Sequence, residues 1–156
     1  MYAIRRAGLD DACDLLGLIR EFCDLDGHAY DGNRARRALA PLLAGDEVGQ
    51  VWLPVGGAPP AVAGYAIVTW GWSLESGGRE ALLDEIYVRS RGQGVGRLLL
   101  SHAMAAAAVA GASRMFLETE AHNARARGFY ARSGFQTEDS AWMSRPLVSG
   151  LPAAPR

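Results

Sequence analysis

Residues 88–99 read Val-Arg-Ser-Arg-Gly-Gln-Gly-Val-Gly-Arg-Leu-Leu, and this stretch decides the fold. It places three glycines at alternate positions between a predicted strand over 80–88 and an apolar, Ala-rich segment that predicts a helix over 94–111. A further strand is predicted over 114–119. A strand, a helix and a second strand in this order indicate a parallel crossover.

The same three glycines favour an anion site at the start of the helix. A glycine-rich loop exposes backbone N–H groups, and the unpaired amides and dipole of a helix N-terminus attract phosphate. Arg91 and Arg97 would add positive charge. A dinucleotide fingerprint is excluded because Arg97 stands where its last glycine is required. A plain turn that begins a helix stays open as the alternative explanation.

The remaining elements surround this crossover on both sides. Toward the N-terminus, the patterns predict strands over 2–5, 48–55, 62–74 and 80–88, a helix that Asp10 caps, and a helix that Asn33 or Asp31 caps and that ends near Leu43. Toward the C-terminus, they predict a helix over 123–133 and two short strands over 135–138 and 141–147. We therefore expect an α+β fold with a mixed, mostly antiparallel sheet of about seven strands, a central β-α-β crossover and flanking helices.

Composition limits the class of protein. The chain has 156 residues, 49% of them hydrophobic, and a formal net charge of -1, as is typical of one soluble domain without a nucleic-acid or anionic-membrane partner. We expect that domain to cover residues 1–148, followed by a flexible tail over 149–156. All 16 basic residues are Arg, so Schiff-base enzymes, Ser-Lys dyads and Lys-dependent phosphate loops are excluded.

Cysteine and apolar patterning indicate a cytoplasmic protein. Cys13 and Cys23 lie ten residues apart in one predicted helix, a separation of roughly 15 Å that a disulfide cannot span. Two Cys and three scattered His offer no metal cluster, and we expect no metal. The N-terminus lacks a signal-peptide pattern. The longest uncharged apolar run, 103–112, is shorter than the roughly 20 residues that a membrane-spanning helix needs.

Two motifs carry a resemblance to a known family. Arg91, Gly94 and Gly96 satisfy the pattern Arg/Gln-x-x-Gly-x-Gly/Ala, and residues 123–135 read Asn-x-x-Ala-x-x-Phe-Tyr-x-x-x-Gly-Phe. In this order they resemble the GCN5-related N-acetyltransferase (GNAT) superfamily, over roughly residues 1–147, and stretches such as 84–88 look like a small bacterial branch of it. One departure is that Arg91 follows Val88 after three positions, where family members commonly advance five.

The resemblance implies a binding site for acetyl-CoA as co-substrate. Backbone N–H groups near Val88 would polarise the thioester carbonyl, because the two central strands of the family separate there. Tyr130 stands where the family has its general acid, although it could instead pack beside Phe129. Asn123 could contact the cofactor, cap its own helix, or do both. The expected cofactor-binding residues are Ile86, Tyr87, Val88, Arg91, Gly92, Gln93, Gly94, Val95, Gly96, Arg97, Asn123 and Tyr130.

Two adjacent carboxylates on the strand before the glycine loop are the candidates for the general base. Asp84 and Glu85 should point to opposite faces of a regular strand, and we favour Glu85 as the base, with Asp84 binding a substrate cation. Both could also be solvated or ion-paired at a strand edge. Further acidic and aromatic residues are expected around the acceptor, and three others are reserve bases. They are Asp24, Asp26, Asp31, Glu75, Tyr30, Trp70 and Trp72 around the acceptor, and Glu118, Glu120 and His122 as reserves.

The resemblance thus implies an N-acetyltransferase that moves an acetyl group from acetyl-CoA to a primary amine, and the acidic residues named above favour a small, cationic acceptor. The alternatives are a non-catalytic CoA-binding or sensing domain and a protein or peptide N-acetyltransferase. The expected partner is a small-molecule amine, with no nucleic acid and no membrane, and family habit allows a homodimer.

Overall fold

A computed structural model describes residues 1–57, 59 and 61–147. The chain divides into two compact units, Met1–Glu120 and a second one that begins at Ala121. The first unit contains the sheet and three helices, and the second contains one helix. The expected tail over 149–156 lies outside the described residues, and a single domain over 1–148 stays a prediction.

Up to residue 133 the elements follow the order that the sequence predicts, except that the strand predicted over 62–74 is divided in two. They are β1 (Tyr2–Arg6), α1 (Ala12–Asp26), α2 (Gly32–Ala44), β2 (Gly49–Gly56), β3 (Ala61–Val62), β4 (Gly64–Ser73), β5 (Gly78–Val88), α3 (Val95–Val109), β6 (Met115–Leu117) and α4 (Ala124–Arg132). The strands form one sheet in the order β1-β2-β4-β5-β6, with the short β3 paired to β2. Every pairing is antiparallel except that of β5 with β6. The mixed α+β fold and its central crossover through α3 are confirmed.

Alternating residues of the strands divide the core between the two faces of the sheet. Val51 and Leu53 of β2 belong to a buried cluster with residues of α1 and α2. Trp52 between them points the other way, and its ring lies 4.4 Å from that of His102 on α3. The helices α1 and α2 therefore cover one face of the sheet and α3 covers the opposite face.

Local chemistry explains where the helices begin and end. Oδ1 of Asp31 accepts the amides of Asn33 and Arg34, both at 3.0 Å, so Asp31 is the cap of α2 and Asn33 is not. The predicted cap Asp10 is wrong. A 3-10 turn over Leu9–Asp11 precedes α1, because the Asp11 carboxylate accepts the Gly8 amide and binds the Arg5 guanidinium.

The two strands predicted at the C-terminal end are also wrong. Residues 135–138 and 141–147, all of them described, adopt no strand. Apolar residues such as Trp142 and Met143 gave the segment a strand-like composition, but both side chains are exposed. A strand exists only where a neighbouring segment supplies its ladder hydrogen bonds, and composition does not supply them.

Membrane and metal features were sought throughout the described residues. No helix in that part of the chain is both long and apolar enough to cross a bilayer. No group of three or more His, Cys, Asp or Glu side chains there is arranged to hold a metal ion. Cys13 and Cys23 both lie on α1 as free thiols.

Candidate active site

The last five residues of β5 run beside β4 but not beside β6. The parallel pairing of β5 with β6 covers Ala81, Leu83 and the residue between them, and it goes no further. At the strand end, the Arg89 amide donates to Ala63 O on the β4 side at 2.9 Å. Because successive amides of a strand point to opposite sides, the Val88 amide points away from β4, toward the side that β6 leaves. The pairing ends where β6 itself ends, at Leu117, so the strand separation that the resemblance implies stays a prediction.

The glycine loop has room for a ligand against its backbone. Gly92 and Gly94 adopt left-handed φ values of +85° and +76°, and a Cβ built on either would meet no atom within 4 Å. Gly94 precedes α3, where its carbonyl accepts the Leu98 amide. The amides of residues 95–97 therefore belong to the first turn and have no partner within the helix. Arg91 and Arg97 are exposed beside this turn, so the loop fits a phosphate-like anion.

Two of the predicted cofactor contacts have buried side chains. Val95 is 2% exposed and packs in the core, and Tyr87 is 8% exposed. Only their backbone groups are therefore available to a ligand. The remaining candidates of the loop, Gln93 and Gly96 among them, lie at or near the protein surface, as Ile86 and Val88 of β5 do.

An ion pair absent from the predictions anchors the start of the glycine loop. The Arg89 guanidinium makes a two-point contact with Glu21 of α1, at 2.9 and 2.6 Å, and also donates to Val62 O at 3.1 Å. The Tyr87 hydroxyl reaches the same carboxylate at 3.4 Å. Arg89 holds the pKa of Glu21 below its usual range. These contacts fix the backbone immediately before the shortened loop, and the sequence offered no local signal for a pairing 68 residues apart.

A β-bulge sets the direction of the candidate base. The register between β4 and β5 pairs Val68 with Leu83 and Ile67 with Glu85, so Asp84 is the extra residue of β5. The bulge interrupts the regular alternation on which the prediction of opposite faces rested. Glu85 thereby shares the face of Ile67, which belongs to the core beneath α1 and α2. Asp84 remains exposed.

Glu85 is bound to a second residue that the sequence did not single out. The hydroxyl of Tyr65, from β4, donates to Oε2 of Glu85 at 2.7 Å. Tyr65 is fully buried and lies across β4 and β5 from Tyr87, with ring centroids 6.0 Å apart. A tyrosine in a buried strand ordinarily reads as core, so only the folded structure could reveal this pairing.

Burial and neighbouring charges perturb both carboxylates. Burial raises the pKa of Glu85, against the opposing effect of the Tyr65 hydrogen bond, while Asp84 and Asp26 raise it further and His28 lowers it. Partial burial among protein atoms, which removes water from the carboxylate, also raises the pKa of Asp84. The rest of the Asp84 side chain is exposed to solvent. Two adjacent acidic groups with raised pKa values are a feature typical of functional sites.

The second unit carries the other motif on α4. Oδ1 of Asn123 accepts the Ala126 amide at 3.0 Å, so Asn123 caps the helix, as one of its two predicted roles requires. Tyr130 lies on the last turns of α4 and packs edge-on against Phe129 and Phe135, with ring centroids 5.2 and 5.8 Å apart. Its catalytic role stays a prediction.

A hydrogen-bond pattern explains the spacing of this motif. The Phe135 amide donates to Tyr130 O and the Gly134 amide to Ala131 O, both at 3.1 Å. Gly134 has a φ of +91°. Together these are a Schellman cap, in which the contact between Phe135 and Tyr130 is the usual apolar closure. The sequence Phe-Tyr-x-x-x-Gly-Phe thus ends α4 and holds the Tyr130 ring against Phe135.

Several residues expected around the acceptor have other positions or roles. Glu75 lies in the turn that joins β4 to β5, at the opposite end of β5 from Val88, and the exposed Trp72 precedes that turn. Trp70 donates to Asp46 O and stacks under Arg79. Asp31 is the helix cap described above. Glu75, Trp70 and Trp72 therefore do not line the surroundings of Glu85, because β5 spans the distance between them.

Other expected acceptor residues lie nearer to the pair. Tyr30 packs against the core cluster of α1 and α2, and the charge of Asp26 acts on Glu85. Asp24 is exposed near the end of α1. The reserve bases Glu118, Glu120 and His122 are exposed as well.

Comparison with known proteins gives a family match. The model of the acetyltransferase (GNAT) family matches residues 18–135. Among solved structures, an integron cassette protein from the mobile metagenome of Cole Harbour Salt Marsh is 29% identical, with a TM-score of 0.82 over 93% of this chain and 90% of that one. A proposed acetyltransferase from Arthrobacter sp. FB24 is 28% identical, with a TM-score of 0.79 over 94% and 97%.

A more distant structure shares the fold. The ribosomal-protein-alanine N-acetyltransferase of Brucella melitensis biovar Abortus 2308 is 20% identical, with a TM-score of 0.72 over 93% of this chain and 99% of that one. Comparison with curated proteins gives no match.

Proposed function

Because this chain belongs to the GNAT acetyltransferase family, we propose that it transfers an acetyl group from acetyl-CoA to the primary amine of a small, cationic acceptor. The observation that carries the proposal is the last part of β5. Within five residues it presents the Glu85 carboxylate, an amide at Val88 that β4 does not use, and the entry to the glycine loop.

The glycine loop and the start of α3 would hold the pyrophosphate. Gly92 and Gly94 leave their backbone uncovered, and the first-turn amides of α3 supply donors. Arg91 and Arg97 supply positive charge. Bound acetyl-CoA provides the activated thioester. The backbone between Val88 and Arg91 would guide its extended arm, from a position that the Arg89–Glu21 pair fixes.

Three groups of the chain would act on the reacting atoms. Glu85 accepts, directly or through a water molecule, the proton that the amine loses as the new C–N bond forms. The Val88 amide donates to the carbonyl oxygen as negative charge develops there. Tyr130 gives its proton to the sulfur as the C–S bond breaks. Glu85 then releases its proton to bulk water, and Tyr130 takes one up from it. Proton and bond changes then balance over one turnover.

The charges near Glu85 support a cationic acceptor. Asp84 and Asp26 lie close enough to disfavour the ionised form of Glu85, and an ammonium group would relieve that repulsion. The unpaired Cys13 and Cys23 suit a reducing compartment, and we propose the cytoplasm as the place of action.

The decisive experiment combines a turnover assay with calorimetry. Purified protein is incubated with acetyl-CoA and a panel of polyamines, aminoglycosides, amino acids and peptides, and released thiol is measured beside the heat of acetyl-CoA binding. We expect micromolar-range binding and turnover with a small cationic amine. Turnover with peptides alone would favour a peptide acetyltransferase. Binding of acetyl-CoA without any turnover would favour a sensor. Absence of acetyl-CoA binding would contradict the proposal.

The variant Tyr130→Phe tests whether Tyr130 is the general acid, the residue on which the enzyme hypothesis and the sensor hypothesis differ. It removes the phenol proton and keeps the ring that packs against Phe129 and Phe135. We expect turnover to fall by roughly 100-fold or more while acetyl-CoA affinity stays within a small factor of that of the unaltered protein. Unchanged turnover would show that Tyr130 is not the acid.

A further inference from the structure

The hydrogen bond between Tyr65 and Glu85 is held rigidly by the sheet. Tyr65 is 0% exposed and is surrounded by the core cluster of α1, α2 and the strands. Its hydroxyl reaches Oε2 of Glu85 at 2.7 Å from the neighbouring strand. A tyrosine side chain has two rotatable bonds, and close packing in the core restrains both.

The proton of this hydrogen bond stays on the tyrosine. Burial, together with the charge of Glu85, raises the pKa of Tyr65 far above its ordinary value, so the phenol keeps its proton and can donate it to the carboxylate. Among the described residues, Tyr65 is the hydrogen-bond donor to the Glu85 carboxylate, and it uses Oε2. Oε1 is left for a different partner.

We propose that Tyr65 is a positioning residue for the reaction, because its hydroxyl binds one oxygen of Glu85, favours the ionised carboxylate and leaves Oε1 to receive the proton of the acceptor amine. The inference rests on the proposed function and deepens it. Tyr65 itself touches neither substrate nor reacting atoms, so its effect must be transmitted through Glu85.

The other groups that face Glu85 come from three places. Asp84 adjoins it on β5, Asp26 and His28 lie at the end of α1 and in the loop after it, and Cys23 belongs to α1. The two aspartates oppose ionisation of Glu85 and His28 favours it. Burial and nearby carboxylates raise the pKa of the Cys23 thiol, which therefore stays neutral. Tyr65 differs from all of them because it makes a direct hydrogen bond.

The test is a pH titration of the Glu85 carboxyl by carbon-13 NMR, in protein labelled at the glutamate side chains. The Glu85 resonance is assigned by its loss in Glu85→Gln. In Tyr65→Phe we expect its titration midpoint about one pH unit higher, because the ionised form loses a charged hydrogen bond. The acidic limb of the kcat/KM profile should move by the same amount. An unmoved midpoint in the folded variant would overturn the proposal.

Tyr87→Phe is the matched control. Tyr87 is the cross-strand neighbour of Tyr65 on the same face, and its hydroxyl reaches Glu21 instead of Glu85. Its removal should leave the Glu85 midpoint in place. If the Glu85 titration midpoint rises equally in both variants, the loss of any tyrosine hydroxyl in this core has the same effect. That result would contradict a specific role for Tyr65.

A second substitution should lower the Glu85 titration midpoint instead of raising it, and it keeps the hydrogen bond. Global replacement of tyrosine by 3-fluorotyrosine makes the phenol more acidic and a stronger donor, so the Glu85 midpoint should fall. This arm answers the question if Tyr65→Phe does not fold, and a midpoint that does not fall would count against the proposal.

The two proposals fail in different ways. Absence of turnover with every amine contradicts the proposed function, whereas the NMR titration still reports whether Tyr65 governs Glu85. Normal turnover together with unmoved midpoints contradicts the positioning role alone.

Discussion

Gly94 is the residue at which the proposed anion site can be tested most directly. It lies at the N-terminal end of α3 with a φ of +76° and open space in the direction of a side chain. Gly94→Asp would place a carboxylate where the pyrophosphate is expected. We predict at least a 10-fold loss of acetyl-CoA affinity by calorimetry, because like charges would meet beside the same amides.

Gly111→Asp is the control for backbone strain. Gly111 follows the opposite end of α3, with a φ of +89° and the same open surroundings. The substitution imposes comparable strain at a place far from the glycine loop. It should leave acetyl-CoA affinity unchanged, and equal losses in both variants would mean that strain in α3, and not charge at the loop, weakens binding.

At the scale of elements, the end of α4 determines how the Tyr130 ring is held. Gly134→Ala forces a Cβ into a left-handed conformation and weakens the cap that joins Phe135 to Tyr130. We predict a loss of about 1 kcal/mol in the free energy of unfolding, measured with urea. Turnover should fall more than acetyl-CoA affinity, because the cap acts on the ring of the proposed acid.

Gly128→Ala is the same substitution inside the same helix. A Cβ there approaches only the flexible end of Arg132, at 3.3 Å. Alanine favours the helix over glycine by about 0.5–1 kcal/mol, so the unfolding free energy should rise or stay level. Two losses of equal size would show that α4 tolerates no added methyl group and that the cap has no special role.

At the scale of the whole molecule, two glutamates make contributions to the free energy of unfolding that change in opposite directions with pH. The pKa of Glu85 is raised by burial, so the folded protein binds this proton more tightly than the unfolded chain does. Its contribution to stability falls as pH rises from the ordinary carboxyl pKa through the raised folded value. Glu21, whose pKa is lowered by Arg89, contributes stability that is lost as pH falls through its folded pKa.

Glutamine substitutions distinguish the two cases. Glu85→Gln keeps an oxygen that can accept from Tyr65 and removes a buried charge, so we expect Tm at pH 7 to rise by roughly 2–4 °C. Glu21→Gln should lower it slightly, because the ion pair with Arg89 is largely exposed. Both differences should vanish in acid, where the carboxyl groups are protonated. A lower Tm for Glu85→Gln would contradict the cost assigned to its charge.

Much of the fold could be predicted because its signals are local. The glycines at 92 and 94 and the apolar run of α3 specify the crossover, and Asp31 begins α2 by a bond to its own chain neighbours. The failed strand predictions concerned segments whose pairing depends on partners distant in sequence. The C-terminal segments have an apolar composition but no ladder.

The candidate site divides in the same way. The glycine loop and the motif of α4 are each one continuous stretch of sequence, so the sequence predicts both; their roles toward a cofactor stay predictions. The bulge at Asp84 is visible only in the register between β4 and β5, and it changes which face Glu85 occupies. The partners of Glu85 and Glu21 lie 20 and 68 residues away, on elements whose neighbours no local pattern reveals.

The short pairing between β5 and β6 has a consequence for how the protein behaves in solution. From Asp84 to Val88, one side of β5 has no ladder partner among the residues that the structure describes, and an unpaired strand side is a template for any extended chain that carries amides. A ligand of that form would bind as an added strand and compete with self-association. Saturating acetyl-CoA, the proposed co-substrate, should therefore also reduce aggregation of the protein.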